Sequence, residues 1–123
     1  MIVFMDSGLY IAVVYLSKTE PITIGKLGTF KFRKGFYFYV GRARRSLTSR
    51  VERHGKKKKS LRWHIDYLSS KTRMLGAIII SDLQQNECRL AKKLNRLFEL
   101  AVAGFGASDC GCAGHLFYAA KLP

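Results

Sequence analysis

YVGRARRSLTSRVERH, residues Tyr39 to His54, runs from an extended aromatic segment through a glycine into a basic stretch with helical spacing. Leu47, Arg50, Val51 and His54 fall at i, i+3, i+4 and i+7. That spacing puts all four on one face of a helix, so an arginine and a histidine share it with two core-type residues. Desolvating an unpaired charge is costly, and a charged group turned toward a core needs a partner or a task. Spacing alone favours the plainer arrangement, in which Arg50 snorkels past the core edge and His54 caps the helix end.

Upstream of this stretch the chain reads as strands. Gly8 to Leu16, GLYIAVVYL, is a nearly continuous apolar run rich in β-branched and aromatic residues, the pattern of a central strand buried on both faces. Ile22 to Phe32 alternates around Gly25 and Gly28, which predicts a short hairpin whose polar face carries Lys26, Lys31 and Arg33. Phe36 to Val40 is a further strand, ending at Gly41. The N-terminal third is therefore expected to form a small antiparallel sheet.

Downstream, Ser46 is a candidate N-cap for a helix reaching about His54, followed by the solvated loop GKKKKS from Gly55 to Ser60. Leu61 to Ser70 repeats the helical spacing, with Leu61, His64, Ile65 and Leu68 on one face and Asp66 off it. His64 is expected to be a hydrogen-bonded core histidine and Trp63 a packing residue. Met74 to Ile80 is strand-like and leads through Ser81 and Asp82, potential caps, into a helix of about Gln85 to Leu100. Its apolar stripe is Leu90, Ala91, Leu94, Leu97, Phe98 and Ala101. One turn back along that stripe lies Glu87, a carboxylate at the helix N-terminus, where the macrodipole favours its ionised form. A glycine-rich loop and a strand-like HLFYAA complete the tail, and no repeat or linker divides the chain.

A chain of 123 residues, 48% of them hydrophobic, suits one domain over residues 1–123 with a real core. Its 22 Lys+Arg against 8 Asp+Glu give a formal charge of +14, which points to a polyanionic partner. Ten of the cations lie between Arg42 and Arg62, against the single acid Glu52. Arg42, Arg44, Arg45, Lys56, Lys57, Lys58, Lys59 and Arg62 are the candidate nucleic-acid contacts, with Arg50 reserved for the site described next. No apolar run approaches a membrane span and no signal-peptide pattern opens the chain, so a soluble, cytoplasmic protein with no membrane partner is expected. Three cysteines argue against a secreted disulfide framework.

GLY at Gly8 to Tyr10 on a first strand, YVG at Tyr39 to Gly41 on a later one, an arginine on the next helix and a glutamate opening another together resemble the GIY-YIG nuclease superfamily. With the inserted hairpin, WHIDYL at Trp63 to Leu68 and GFGASDC at Gly104 to Cys110, the chain is similar to its Uri-type branch over nearly its whole length. The resemblance implies an α/β sandwich, here one small domain with a central three-stranded antiparallel sheet, an added hairpin and flanking helices. It also implies a divalent-metal-dependent endonuclease hydrolysing DNA phosphodiester bonds with one Mg²⁺ or Mn²⁺ ion. By position, Tyr10 and Tyr39 match the motif tyrosines, Arg42 the basic residue after the second motif, Arg50 the catalytic arginine, His54 a site position one turn on, and Glu87 the metal ligand.

Such chemistry asks for an activated water, neutralisation of the phosphate and help for the leaving oxygen. A tyrosine base has to be brought down from its ordinary pKa of about 10 by nearby positive charge such as Arg42, Arg50 or the metal. Tyr10 or Tyr39 would activate water, with His54 as a competing base, Arg50 would neutralise phosphate, and Glu87 would hold the metal. A non-catalytic basic nucleic-acid-binding module accounts for the charge equally well. Cys110, Cys112 and His115 form a C-x-C-x2-H cluster, but structural zinc wants four ligands, with Cys88 or His64 arriving from elsewhere. A glycine-rich loop with small buried thiols is the favoured expectation there, and zinc is not expected.

Overall fold

The computed structural model describes residues 8–43, 47–56, 58–80, 86–107 and 112–122. Strand β1 (Gly8–Leu16) pairs antiparallel with β4 (Gly35–Ala43) along its whole length, Gly8 opposite Ala43 and Leu16 opposite Gly35. Its other edge takes β5 (Arg73–Ile80), while β4 takes β7 (Leu116–Ala119), which in turn takes the two-residue β6 (Glu99–Leu100). The sheet order is thus β5-β1-β4-β7-β6, five strands rather than the three expected. The expected runs Met74 to Ile80 and HLFYAA are indeed strands; what periodicity does not carry is that β7 adds to β4 from the far end of the chain. The hairpin of β2 (Glu20–Ile24) and β3 (Gly28–Phe32) stands as a separate sheet, closed by one 3₁₀ turn over Gly25–Leu27.

Both faces of the main sheet are covered, which explains why β1 is apolar at almost every position. On one side Leu9, Ile11, Phe38, Val40 and Phe117 meet Leu90, Ala91 and Leu94 of α3 (Glu87–Leu97). On the other, Val14, Leu16 and Tyr37 join Ile22, Ile24 and Phe32 of the hairpin and Ile65 and Leu68 of α2 (His64–Ser69). Beside them Tyr10, Ala12 and Ala43 pack with Leu47 of α1 (Leu47–Gly55).

Three boundaries differ from expectation. Strand β4 runs through Gly41 to Ala43 instead of ending at the glycine, because Gly41 stands opposite Tyr10 and gives its ring room: a Cβ there would lie 2.3 Å from Tyr10 Cζ. Helix α3 stops at Leu97, which is 73% exposed rather than part of the stripe. Phe98 leaves helical geometry to stack on Phe38 at 4.4 Å, and Glu99–Leu100 pairs with β7. Helix α2 begins only at His64, leaving Leu61 exposed, and Asp66 is fully buried rather than off the inward face. Ser46, Ser81, Asp82 and Gln85 lie outside the described residues. No helix among those described is long and apolar enough to cross a membrane.

Candidate functional site

Register brings the two motif tyrosines together. Tyr39 pairs across from Ala12 and Tyr10 from Gly41, so the two side chains are diagonal neighbours on one face of the sheet. Their ring centroids are 6.3 Å apart. Helix α1 lays His54 over the pair, with Nε2 2.7 Å from the Tyr10 hydroxyl and the imidazole 5.9 Å from the Tyr39 ring. His54 therefore does not cap a helix end in solvent; it is 1% exposed. Its Nδ1 has no hydrogen-bond partner among the described residues.

Burial dominates the protonation of this trio. It pulls His54 down to about 4, with the neighbouring Lys59 acting in the same direction, so the ring is neutral at physiological pH. Burial pushes Tyr10 well above the usual phenol range, reinforced by Tyr39 and opposed by Arg50. Tyr39 is likewise raised by burial and then by the charge of Glu87, again against Arg50. The cation thus acts in the direction a tyrosine base requires but is outweighed by desolvation. Both phenols are proton donors at neutral pH, and the neutral His54 is the ready proton acceptor of the three.

Arg50 is half-buried and held from two sides: Nη1 donates to the Arg42 carbonyl, and the guanidinium lies 4.6 Å from the centroid of Trp63. Arg53 and Arg62 approach the same indole, at 4.6 and 5.4 Å. Trp63 is a packing residue, as expected, but what it packs is a group of guanidinium cations. The Asp66 carboxylate accepts from Arg53 Nη1 at 2.6 Å and from the backbone N–H groups of Arg62 and Trp63 at 2.8 and 2.9 Å. Those bonds outweigh its burial and lower the carboxyl below its ordinary value, keeping it ionised. Helical spacing alone does not mark Asp66 as inward. The signal was its place three after Trp63, where a helix acid can reach back to the backbone N–H groups ahead of the first turn.

Glu87 is the first residue of α3. Asn86 is the N-cap, its side-chain oxygen accepting from the Arg89 N–H at 2.9 Å. The glutamate side chain is 34% exposed, its Oε2 is 3.5 Å from His115 Nδ1, and its charge is felt by both Tyr39 and Tyr10. Asp66 is committed to Arg53 and the backbone, whereas Glu87 is partly exposed and acts on both tyrosines through its charge. One carboxylate suits a hard divalent cation that keeps most of its waters.

The candidate polyanion contacts divide. Arg42, Lys56, Lys58 and Arg62 are exposed. Lys59 is turned inward: its ammonium donates to the Arg53 and His54 carbonyls at the end of α1 and to Ser69. Arg44, Arg45, Lys57 and Cys110 lie outside the described residues. His64 is hydrogen-bonded as expected, its Nδ1 accepting from the Gly106 N–H at 2.8 Å, but it is half-buried at the edge of the core rather than within it.

A family sequence model described as "Domain of unknown function DUF123" matches residues 9–123, and the chain belongs to that family. No curated protein and no solved structure matches the chain.

Proposed function

As this chain is a member of the DUF123 family, a membership that carries no stated activity, we propose from its own residues that it is a divalent-metal-dependent endonuclease acting on DNA phosphodiester bonds. The observation that carries the reading is the grouping of Tyr10, Tyr39 and His54 within ring contact, with the charges of Arg50 and Glu87 both acting on the two tyrosines. The resemblance of GLY, YVG, the α1 arginine and the α3 glutamate to the GIY-YIG superfamily supports the same reading. So does the +14 charge, for a polyanionic substrate.

Each residue then has a task its surroundings suit. Arg50, stacked on Trp63 and tied to the Arg42 carbonyl, is pre-oriented to meet a non-bridging phosphate oxygen with its planar fork. Glu87 would hold Mg²⁺ or Mn²⁺, whose chemistry is to stabilise charge on the phosphoryl and leaving oxygens. Tyr39, half-buried where Tyr10 is 2% exposed, is the tyrosine with surface to orient the attacking water. Neutral His54 shares a hydrogen bond with the Tyr10 hydroxyl, keeps that phenol in place and is the member of the pair able to take up a proton. Arg42, Lys56, Lys58 and Arg62 are available to the flanking backbone.

Arg50→Ala and Glu87→Ala should each lower DNA cleavage by roughly 10²- to 10³-fold, the usual cost of removing one electrostatic contact to the transition state, while filter binding to the same DNA persists. Full Mg²⁺-supported activity in Glu87→Ala would remove the metal assignment. The second reading, a non-catalytic nucleic-acid-binding module, is favoured by the charge alone. It requires nothing of Glu87 or the tyrosines, and it predicts binding that no metal converts into cleavage.

A further inference from the structure

Cys88, Cys112 and His115 adjoin the tyrosine cluster, His115 preceding the partner of Tyr39 in β7, but have no task in the chemistry above. They come from two regions of the chain: Cys88 is the second residue of α3, and Cys112 and His115 lead into β7. One ligand-type atom from each lies within 4.8 Å of the other two, and Cys112 Sγ is 2.7 Å from His115 Nε2. Neither cysteine is in a disulfide. We propose that Cys88, Cys112 and His115 are three ligands of a thiolate-rich transition-metal site, with zinc as the metal, that ties the start of α3 to the loop before β7.

Ligand chemistry and spacing both support this. Two thiolates and an imidazole select zinc over hard cations. Zinc–sulfur and zinc–nitrogen bonds of ordinary length in a tetrahedron set donor atoms roughly 3.5–3.8 Å apart, so the trio needs to open at the Cys112–His115 contact by about 1 Å. His115 is already oriented for it: Nε2 faces the sulfur, and Nδ1 faces Glu87 Oε2 at 3.5 Å. A ligating histidine whose other ring nitrogen meets a carboxylate is the usual second layer of such sites. The backbone holds this histidine firmly, its N–H donating to the Phe105 carbonyl at 2.8 Å and its carbonyl accepting from the Val40 N–H at 2.9 Å. The sequence leaves Cys88 or His64 to arrive from elsewhere, and the fold brings Cys88 of α3 to Cys112 and His115. A tetrahedral zinc would take its fourth ligand from outside this trio.

The site also adjoins the proposed active centre, since Glu87 Oε2 faces His115 at 3.5 Å while its charge acts on Tyr39. Metal content is nevertheless read without any cleavage, so the inference stands or falls apart from the nuclease reading. The test is elemental analysis of the full chain purified without chelator or polyhistidine tag, followed by Co²⁺ addition to chelator-treated protein. We expect about one zinc per chain, and cobalt spectra with thiolate charge-transfer and intense tetrahedral absorption. Cys88→Ser and Cys112→Ser should each lose most of the metal, and Glu87→Ala should weaken cobalt binding by roughly 10-fold or more. Circular dichroism of the variants separates loss of ligand from loss of fold, and the wild-type cobalt spectrum needs no variant at all. Wild-type protein with only traces of zinc and no thiolate–cobalt band would overturn the site, as would zinc that stays at full occupancy in a folded Cys88→Ser/Cys112→Ser double variant.

Discussion

Two residues show how strongly a single position is constrained at this site. Gly41 is a glycine because the Tyr10 ring occupies the space a side chain would need, with Cζ 2.3 Å from where a Cβ would stand. Gly41→Ala should therefore cost about 2 kcal/mol or more, the range for overpacking a well-packed core, seen as a lower urea midpoint at unchanged slope. His54 sets a pH dependence. Its pKa is lowered to about 4 in the folded chain against an ordinary value of 6.5, so between those limits the unfolded chain binds the extra proton. Stability is fully present above pH 6.5 and is lost as pH falls toward 4, by up to about 1.4 kcal/mol per pH unit for one such histidine. His64 and His115 are depressed by burial as well and act in the same direction. The difference between wild type and His54→Gln in urea unfolding, in EDTA across that window, isolates the share of His54. An identical pH slope in both proteins would show that His54 is not held neutral. The i, i+3, i+4, i+7 face made His54 and Arg50 visible in the sequence. It could not tell that the His54 ring turns inward onto Tyr10 rather than capping the helix, since that depends on a strand 44 residues away.

Among the elements, local pattern carries the strands and helices, while long-range pairing leaves no mark in the sequence. The bounds of β1 were legible from an apolar run with turn residues on both sides, and the hairpin from its alternation. The fourth and fifth strands of the sheet were not, because β7 joins β4 and β6 joins β7 through contacts that leave no periodic mark. Helix α3 looked longer than it is, because Phe98 fits the stripe by spacing yet gains more from stacking on Phe38. Asp66 was placed outward by the same counting, although its bonds to Arg53 and two backbone N–H groups are what allow it inside. The start of α3 carries the most weight, since Asn86 caps the turn that bears both Glu87 and Cys88. Asn86→Ala should lower stability by about 1 kcal/mol and reduce cleavage more than binding, while Asn86→Asp should restore both. Equal urea midpoints for Asn86→Ala and wild type would mean that the cap does not hold the helix start.

Across the whole molecule, a sheet covered on both faces fixes the tyrosines, and ten of the 22 Lys+Arg fall on the segment Arg42 to Arg62 that follows the second motif. Part of that charge is internal to the protein: Arg53 is paired with Asp66 and Lys59 with the end of α1. Those two cations are therefore not expected among the phosphate contacts. Steep salt dependence of DNA binding, near −0.9 per phosphate contact on duplex DNA, follows from a nuclease and from a simple binding module alike. The two part only over bond breakage. The most direct measurement is incubation of wild-type protein with supercoiled plasmid in Mg²⁺ or Mn²⁺, with a matched reaction in EDTA and with Glu87→Ala alongside. Wild-type protein is expected to give nicked and then linear plasmid in the metal reactions, with the plasmid left intact in EDTA and with Glu87→Ala. Plasmid left supercoiled by wild-type protein in either metal, at concentrations that fully bind it, and flapped and branched DNA left equally uncut, would contradict the nuclease reading.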